Sequence, residues 1–250
     1  RRVIAAGFAV LCFNGLAVAG PLTVETVYVE TSLDTDNDGR NDRIYVKIDR
    51  TTGATNVPSI MTISPYAMGG NNAPNHSVNV KLLPQDEQFE AEDADLHRRN
   101  KEQIIEDLHA VRDAATDRGS AAITAHSIGT GNSKGCPTVG DAAETLATKA
   151  VIDWLNGRAT AYSSVSGGSA VTADWASGAV GMTGVSYNGT LPNMVATTGV
   201  EGLKAIIPVA AISSWYDYYR ANGLVVGPGG YIGEDADVLG KFIVRQGACS

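Results

Sequence analysis

Cysteine is scarce in this chain: there are three, with no C-x-x-C pair among them. A tetrahedral thiolate zinc cage and a disulfide-stapled mini-fold are therefore both excluded. Lysine and arginine form no long run, and 27 acids outweigh 19 bases for a net charge of −8, so the electrostatic footprint of a nucleic-acid-binding protein is missing. Charged residues make up only 18% against 44% hydrophobic ones, which excludes a disordered polyelectrolyte. The apolar run from Val3 to Leu16, interrupted by Asn14, is too short to span a bilayer comfortably. What is present is enough apolar material over 250 residues for one sizeable α/β domain, with 28 glycines and 9 prolines to punctuate it.

The first residues read as a secretory signal peptide: Arg1 and Arg2, the apolar run, then small Ala17 and Ala19 before Gly20-Pro21. The expectation is a secreted, extracellular protein whose mature part starts at Gly20, with no membrane anchor and with Cys136 and Cys249 remaining. In an oxidising compartment those two are candidates for one disulfide, although sequence alone does not bring them together.

Beyond Pro21 the apolar period is two, at Val27 and Val29 and again at Ile44, Val46 and Ile48, which predicts two strands flanking a loop. That loop, Asp34 to Asp42, has oxygen-bearing residues at places one, three, five and nine and Gly39 at six, as calcium loops do. The twelfth place is Tyr45 rather than Glu and no helix follows, so an EF-hand is excluded; Asp, Asn and Gly also suit a plain hairpin turn. No cofactor or metal is assigned, and calcium at Asp34, Asp36 and Asp38 stays an open alternative.

Val57 to Ile63 predicts a buried strand opening into Ser64-Pro65-Tyr66. An acidic surface segment covers Gln85 to Asp95, and Ile104, Ile105, Leu108, Val111 and Ala115 recur at helical spacing. His97 and His109 beside this helix carry no partner motif and read as solvated residues. Ala121 to Ala125 predicts a third buried strand, followed by a glycine-rich loop from His126 to Cys136. This loop lacks the G-x-x-x-x-G-K-[ST] order of a phosphate cradle. A helix then begins near Gly140, with Ala143, Leu146, Ala147, Ala150, Val151, Trp154 and Leu155 expected on its sheet-facing side.

Ala179 to Thr190 reads strand, then Gly184-Val185-Ser186-Tyr187-Asn188-Gly189, then helix, which is the pattern of a nucleophile elbow with one extra residue before its second glycine. A serine on such a turn projects its hydroxyl from the top of the sheet, and the helix behind it favours developing negative charge. By itself Gly-x-Ser-x-x-Gly is a weak signal.

Three stretches together carry a more specific likeness: Ser64-Pro65-Tyr66, Gly184 to Gly189, and Gly199-Val200-Glu201-Gly202 through Trp215-Tyr216-Asp217-Tyr218-Tyr219-Arg220 to Gly233-Glu234-Asp235. Over nearly all of the chain after Gly20 it resembles the Xaa-Pro dipeptidyl-peptidase family, serine peptidases of the α/β-hydrolase fold. The resemblance implies a mostly parallel sheet with helices on both faces. Residues 1–19 are then a signal peptide, 20–212 the N-terminal part of the catalytic domain, and 213–250 the start of a helical insertion that shapes the substrate pocket. It further implies Ser186 as nucleophile, the Tyr187 backbone N–H and the Tyr66 hydroxyl as oxyanion donors, and Glu234 as the carboxylate that reads the free ammonium of the substrate. Trp215 and Tyr218 would wall the pockets for the first residue and the proline ring. The expected partners are peptides with a free N-terminus and proline second.

The α/β-hydrolase order of catalytic groups is Ser, then Asp or Glu, then His, yet His76, His97, His109 and His126 all precede Ser186. His126, at a strand end, has no counterpart as base in the family. The expectation is an incomplete enzyme, cut within the helical insertion and inactive alone. Two rival classes stay open: an esterase or β-lactam acyl hydrolase of the same fold, which has no use for Glu234, and a non-catalytic extracellular module that binds calcium.

Overall fold

In a computed structural model the described residues are 20–66, 106, 108–219, 236–244 and 249. The signal-peptide segment, the acidic stretch 85–95, Ile104, Ile105, His76, His97 and Glu234 lie outside them.

Alternation sets the first two strands. In β1 (Leu22–Glu30) and β2 (Arg43–Thr51) the residues Val27, Val29, Ile44, Val46 and Ile48 turn inward and are buried, and the strands pair antiparallel in unbroken register from Leu22↔Thr51 to Glu30↔Arg43. β3 (Val57–Ser64) and β4 (Ala121–His126) are buried on both faces and run parallel, as expected of central strands of an α/β sheet. Pro58 donates no hydrogen bond, and the register of β3 against its other neighbour slips at that point, between Val57 and Ser59. A helix, α1, covers 108–116, where Ala115 is buried and His109 is exposed.

After β4 come α2 (Ala142–Leu155), the two-residue strands β5 (Ala161–Tyr162) and β6 (Ala170–Val171), β7 (Ala176–Val185), α3 (Tyr187–Ala196), β8 (Leu203–Val209), α4 (Trp215–Tyr219) and α5 (Ala236–Val244). One sheet results, in the order β6-β5-β1-β2-β4-β3-β7-β8, parallel from β4 to β8. Its core holds Ile48, Met61, Ile63, Ile123, Val151, Ile152 and Met182. Each such fully buried aliphatic side chain contributes roughly 1.5–3 kcal/mol. Tyr219, Leu239 and Ile243, from the segment expected to begin a helical insertion, pack into this same core. No helix among the described residues is long and apolar enough to cross a membrane.

The buried side of α2 differs from the expectation. Leu146 is exposed, while Glu144, Thr148 and Ile152 face inward with Ala147, Val151, Trp154 and Leu155. The two polar residues are tolerated inside because they are bonded: the Thr148 hydroxyl donates to the Glu144 carbonyl at 2.8 Å, and the Glu144 carboxyl is held from α3.

The β1–β2 loop is bolted to the glycine-rich loop. Asp42, 2% exposed, accepts from Thr35 N–H at 2.8 Å and from its hydroxyl at 2.7 Å, and the Thr35 oxygen accepts Cys136 N–H at 2.7 Å. Next to it, Cys136 is joined to Cys249 by a disulfide with Cα atoms 4.7 Å apart, so the pairing left open by sequence is made.

Candidate active site

From β3 the chain continues to β4 on one side, then returns through α2 to β7 on the other side of β3. The crevice between the carboxyl ends of β3 and β7 is therefore the point where the strand order switches, the usual ligand position in open α/β sheets. Tyr66 follows the end of β3, and Ser186 follows the end of β7.

Ser186 has φ 59° and ψ −121°, a left-handed conformation that costs a residue with a side chain about 1–3 kcal/mol. Its surroundings impose this. Ser186 N–H donates to the Val209 carbonyl of β8 at 2.9 Å, while its own carbonyl accepts Gly189 N–H at 3.0 Å, Thr190 N–H at 2.9 Å and the Thr190 hydroxyl at 3.1 Å. The Thr190 oxygen in turn accepts Ile212 N–H at 2.9 Å, tying the chain beyond β8 to the elbow. The second glycine earns its place by packing: a Cβ on Gly189 would lie 2.6 Å from the Val209 oxygen and 2.7 Å from that of Gly184. The extra residue before it is thus the first-turn Asn188 of α3, and the close approach to β8 falls one residue later. With Ser186 N–H committed to the sheet, the helix-opening N–H groups of Tyr187 and Asn188 lie ahead of the first intrahelical bonds.

A chain of aromatic ring contacts gathers at these strand ends. Tyr66, whose N–H is held by the Ser64 hydroxyl at 3.0 Å, sets its ring edge-on to that of Tyr187 at 5.7 Å. Tyr187 meets Trp215 at 5.5 Å, Trp215 stacks on Tyr219 at 6.0 Å, and Tyr219 meets Tyr218 at 4.7 Å. Tyr218 is exposed and Tyr219 buried. Trp215 rests on Gly140, where φ is +63° and any Cβ would collide with the indole, 2.6 Å from Cε2 and 2.7 Å from Nε1. The structure brings Tyr66, Ser186, Tyr187, Trp215 and Tyr218 into one region from three separate stretches of sequence.

Beneath the rings lies a carboxyl that sequence reasoning missed. Tyr187, 2% exposed, donates its phenol to Glu144 Oε2 at 2.6 Å, and Gly140 N–H reaches both the Tyr187 oxygen at 2.9 Å and Glu144 Oε2 at 3.0 Å. Burial raises the Glu144 carboxyl to about 7, against smaller opposing pulls from Tyr187, Ser127 and Gly140 N–H. Burial, then the adjacent carboxyl, pushes the Tyr187 phenol far above its ordinary range. The available signal was Asp141-x-x-Glu144 at a helix start: Asp141 caps α2 by accepting Glu144 N–H at 3.0 Å.

His126 is the buried last residue of β4. Its Nδ1 accepts Asn132 N–H at 3.0 Å, its ring lies 4.4 Å from that of Tyr45, and burial lowers it to about 4. It pins the glycine-rich loop as a neutral imidazole. Asp34, Asp36 and Asp38 gather carboxylate oxygens within 4.8 Å of one another, each already accepting backbone N–H groups of its own loop.

A parallel-centred sheet of this order, with a strained serine between strand and helix at the switch point, defines an α/β-hydrolase. Residues 38–248 match the family model described as X-Pro dipeptidyl-peptidase (S15 family). The chain belongs to that family. It is 51% identical over 225 residues to a Bacillus anthracis relative, covering 89% of this chain and 35% of the relative. To the Xaa-Pro dipeptidyl-peptidase of Streptococcus thermophilus it is 46% identical over 252 residues, covering 92% and 33%. It spans about a third of the length of these curated relatives. Among solved structures, an α-amino acid ester hydrolase matches at TM-score 0.46 and 18% identity, over 85% of this chain and 27% of the other.

Proposed function

We propose that this chain is the nucleophile-bearing part of a secreted serine peptidase that releases N-terminal Xaa-Pro dipeptides through an acyl-enzyme. The observation that carries the reading is the left-handed Ser186 at the head of α3, next in the chain to Tyr187, whose ring meets those of Tyr66 and Trp215. The Ser186 hydroxyl attacks the carbonyl carbon of the proline, forming the acyl ester as the C–N bond to the next residue breaks and its amine leaves. The oxyanion that forms is received by Tyr187 N–H, one of the helix-opening donors, and by the Tyr66 hydroxyl, donors of a kind each worth about 10²- to 10³-fold in turnover. Trp215 and Tyr218 enclose the dipeptide side chains, and Glu234 pairs with its ammonium.

Acyl transfer also needs a base for the serine hydroxyl and an acid for the leaving amine. His126 is unsuited, being a buried loop anchor whose Nδ1 is already an acceptor. In α/β-hydrolases the base and its orienting carboxylate follow the serine, and no histidine stands between Ser186 and Ser250. The secretory reading rests on the pattern of residues 1–19.

The test is release of chromophore from an Ala-Pro anilide by residues 20–250 and by a chain extended downstream, each beside its Ser186→Ala variant. Turnover only in the extended chain, lost in Ser186→Ala and on N-acetylation of the substrate, is the expected result. Turnover by residues 20–250 overturns the assignment of the base, and equal turnover of the N-acetylated substrate identifies an acyl hydrolase instead.

A further inference from the structure

The chemistry proposed above has no use for Glu144, yet this carboxyl is 1% exposed and spends one oxygen on Tyr187 of the elbow and on Gly140 N–H, while Oε1 has no hydrogen-bond partner among the described residues. A buried carboxyl with one oxygen unanswered is an expensive feature to keep for packing alone. Its own position is rigid. It sits in the first turn of α2, its N–H capped by Asp141 and its carbonyl holding Thr148.

What Glu144 grips explains the arrangement. Tyr187 is the residue after the nucleophile, and its side chain has two rotatable bonds, so pinning the phenol oxygen at one end and the backbone in α3 at the other leaves the residue no freedom. Gly140, the other group held, is the surface on which Trp215 lies. We propose that Glu144 is a positioning residue for the elbow: through Oε2 it locks Tyr187 beside Ser186 and, through Gly140, locks the Trp215 wall to the same point. The inference rests on the peptidase reading only for the use made of Tyr187 N–H in turnover.

The groups facing the carboxyl are Asp141 from its own helix, Ser127 and Gly140 from the loop between β4 and α2, and Tyr187 from α3, with Tyr66 behind Tyr187. The Ser127 hydroxyl pulls on the carboxyl without closing a hydrogen bond, and its oxygen is likewise buried without a partner among the described residues. When Glu144 ionises, charge falls on an unanswered oxygen, and the Tyr187–Gly140–Trp215 contact must readjust. The wall therefore reports the state of the carboxyl.

The experiment labels the whole 250-residue chain with 5-fluorotryptophan, giving one 19F resonance each for Trp154, Trp175 and Trp215, the last assigned by its loss in Trp215→Phe. Between pH 5.5 and 8.5 the Trp215 resonance is expected to shift with one midpoint near neutrality while Trp154 and Trp175 stay flat. Glu144→Gln, which keeps the shape and an acceptor oxygen, abolishes the shift; Glu144→Met, which removes the ionising group altogether, abolishes it too and stands in should the first variant not fold. A flat Trp215 resonance in the parent chain, or an undiminished shift in a folded variant, overturns the proposal. A failure of the anilide assay strikes the peptidase reading alone, since the 19F titration requires no turnover.

Discussion

The phenol of Tyr187 donates to Glu144 Oε2 at 2.6 Å, so the residue immediately after the candidate nucleophile is anchored from below by a carboxyl out of contact with water. Strand β7 aims Ser186, and helix α2, from a different part of the chain, holds its neighbour. Several measurable consequences follow from this cross-bracing and from the contacts around it.

Stability carries the mark of Glu144 as a pH dependence. Its pKa is raised from 4.5 to about 7 on folding, so between those values the folded state holds a proton that the unfolded state has released. Stability from this group is therefore full below about pH 4.5 and declines as pH rises through 7, by on the order of a few kcal/mol. Urea melts across pH 4.5–8 are expected to show a falling slope in the parent chain that flattens in Glu144→Gln; an unchanged slope counts against the assignment.

His126 acts in the opposite sense. Its pKa falls from 6.5 to about 4 on folding, so the unfolded state binds the extra proton, and stability is lost as pH drops from 6.5 through 4. His126→Asn, which retains an acceptor for Asn132 N–H, is expected to reduce acid sensitivity in that window. An identical acid limb in the variant speaks against a neutral buried imidazole.

Gly140→Ala is expected to displace Trp215, because the new methyl occupies the volume of the indole and the backbone sits at φ +63°. Overpacking of this kind costs about 1–3 kcal/mol beyond the backbone strain. Gly157→Ala is the control: φ is +73° there, but none of the described residues lies within 4 Å of the added carbon. Thermal melts that fall equally for both substitutions argue against a tight Gly140–Trp215 contact.

In a chain that turns over Ala-Pro anilide, Tyr66→Phe is expected to lower kcat by about 10²- to 10³-fold with little change in KM, since a hydroxyl that bonds the oxyanion contributes to the transition state and not to ground-state binding. A kcat within a few-fold of the parent removes Tyr66 from that role.

Reducing the Cys136–Cys249 disulfide, or replacing Cys249 with Ser, is expected to lower stability by about 2–5 kcal/mol, because the bridge closes a separation of 113 residues in the unfolded chain. A melting temperature indifferent to reductant contradicts this.

The strands were legible where one physical cause dominates: alternation in β1 and β2, continuous apolarity in β3 and β4, and glycines around a serine at the head of α3. The site's supporting parts were not, because they depend on pairings across the chain. Counting apolar residues placed Leu146 on the sheet-facing side of α2 and passed over Glu144, which Tyr187, 43 positions away, admits to the interior by offering its carboxyl a partner. Strands β5 and β6 have two residues each, too few for any period to show. Gly140 looked like a helix start, and only the position of Trp215 reveals why no larger residue fits.

The hydrogen bond from Cys136 N–H to the Thr35 hydroxyl spans 101 residues. A closure of that length is slow, because chain entropy is spent before any contact rewards it. During synthesis the β1–β2 hairpin can form early from local pairs, but its loop must wait for the glycine-rich loop, and with it the Gly140 platform, to emerge. The elbow lies further along still, so the loop and the Gly140 platform that seat it are made before it, whereas the Cys136–Cys249 bridge closes only from beyond it.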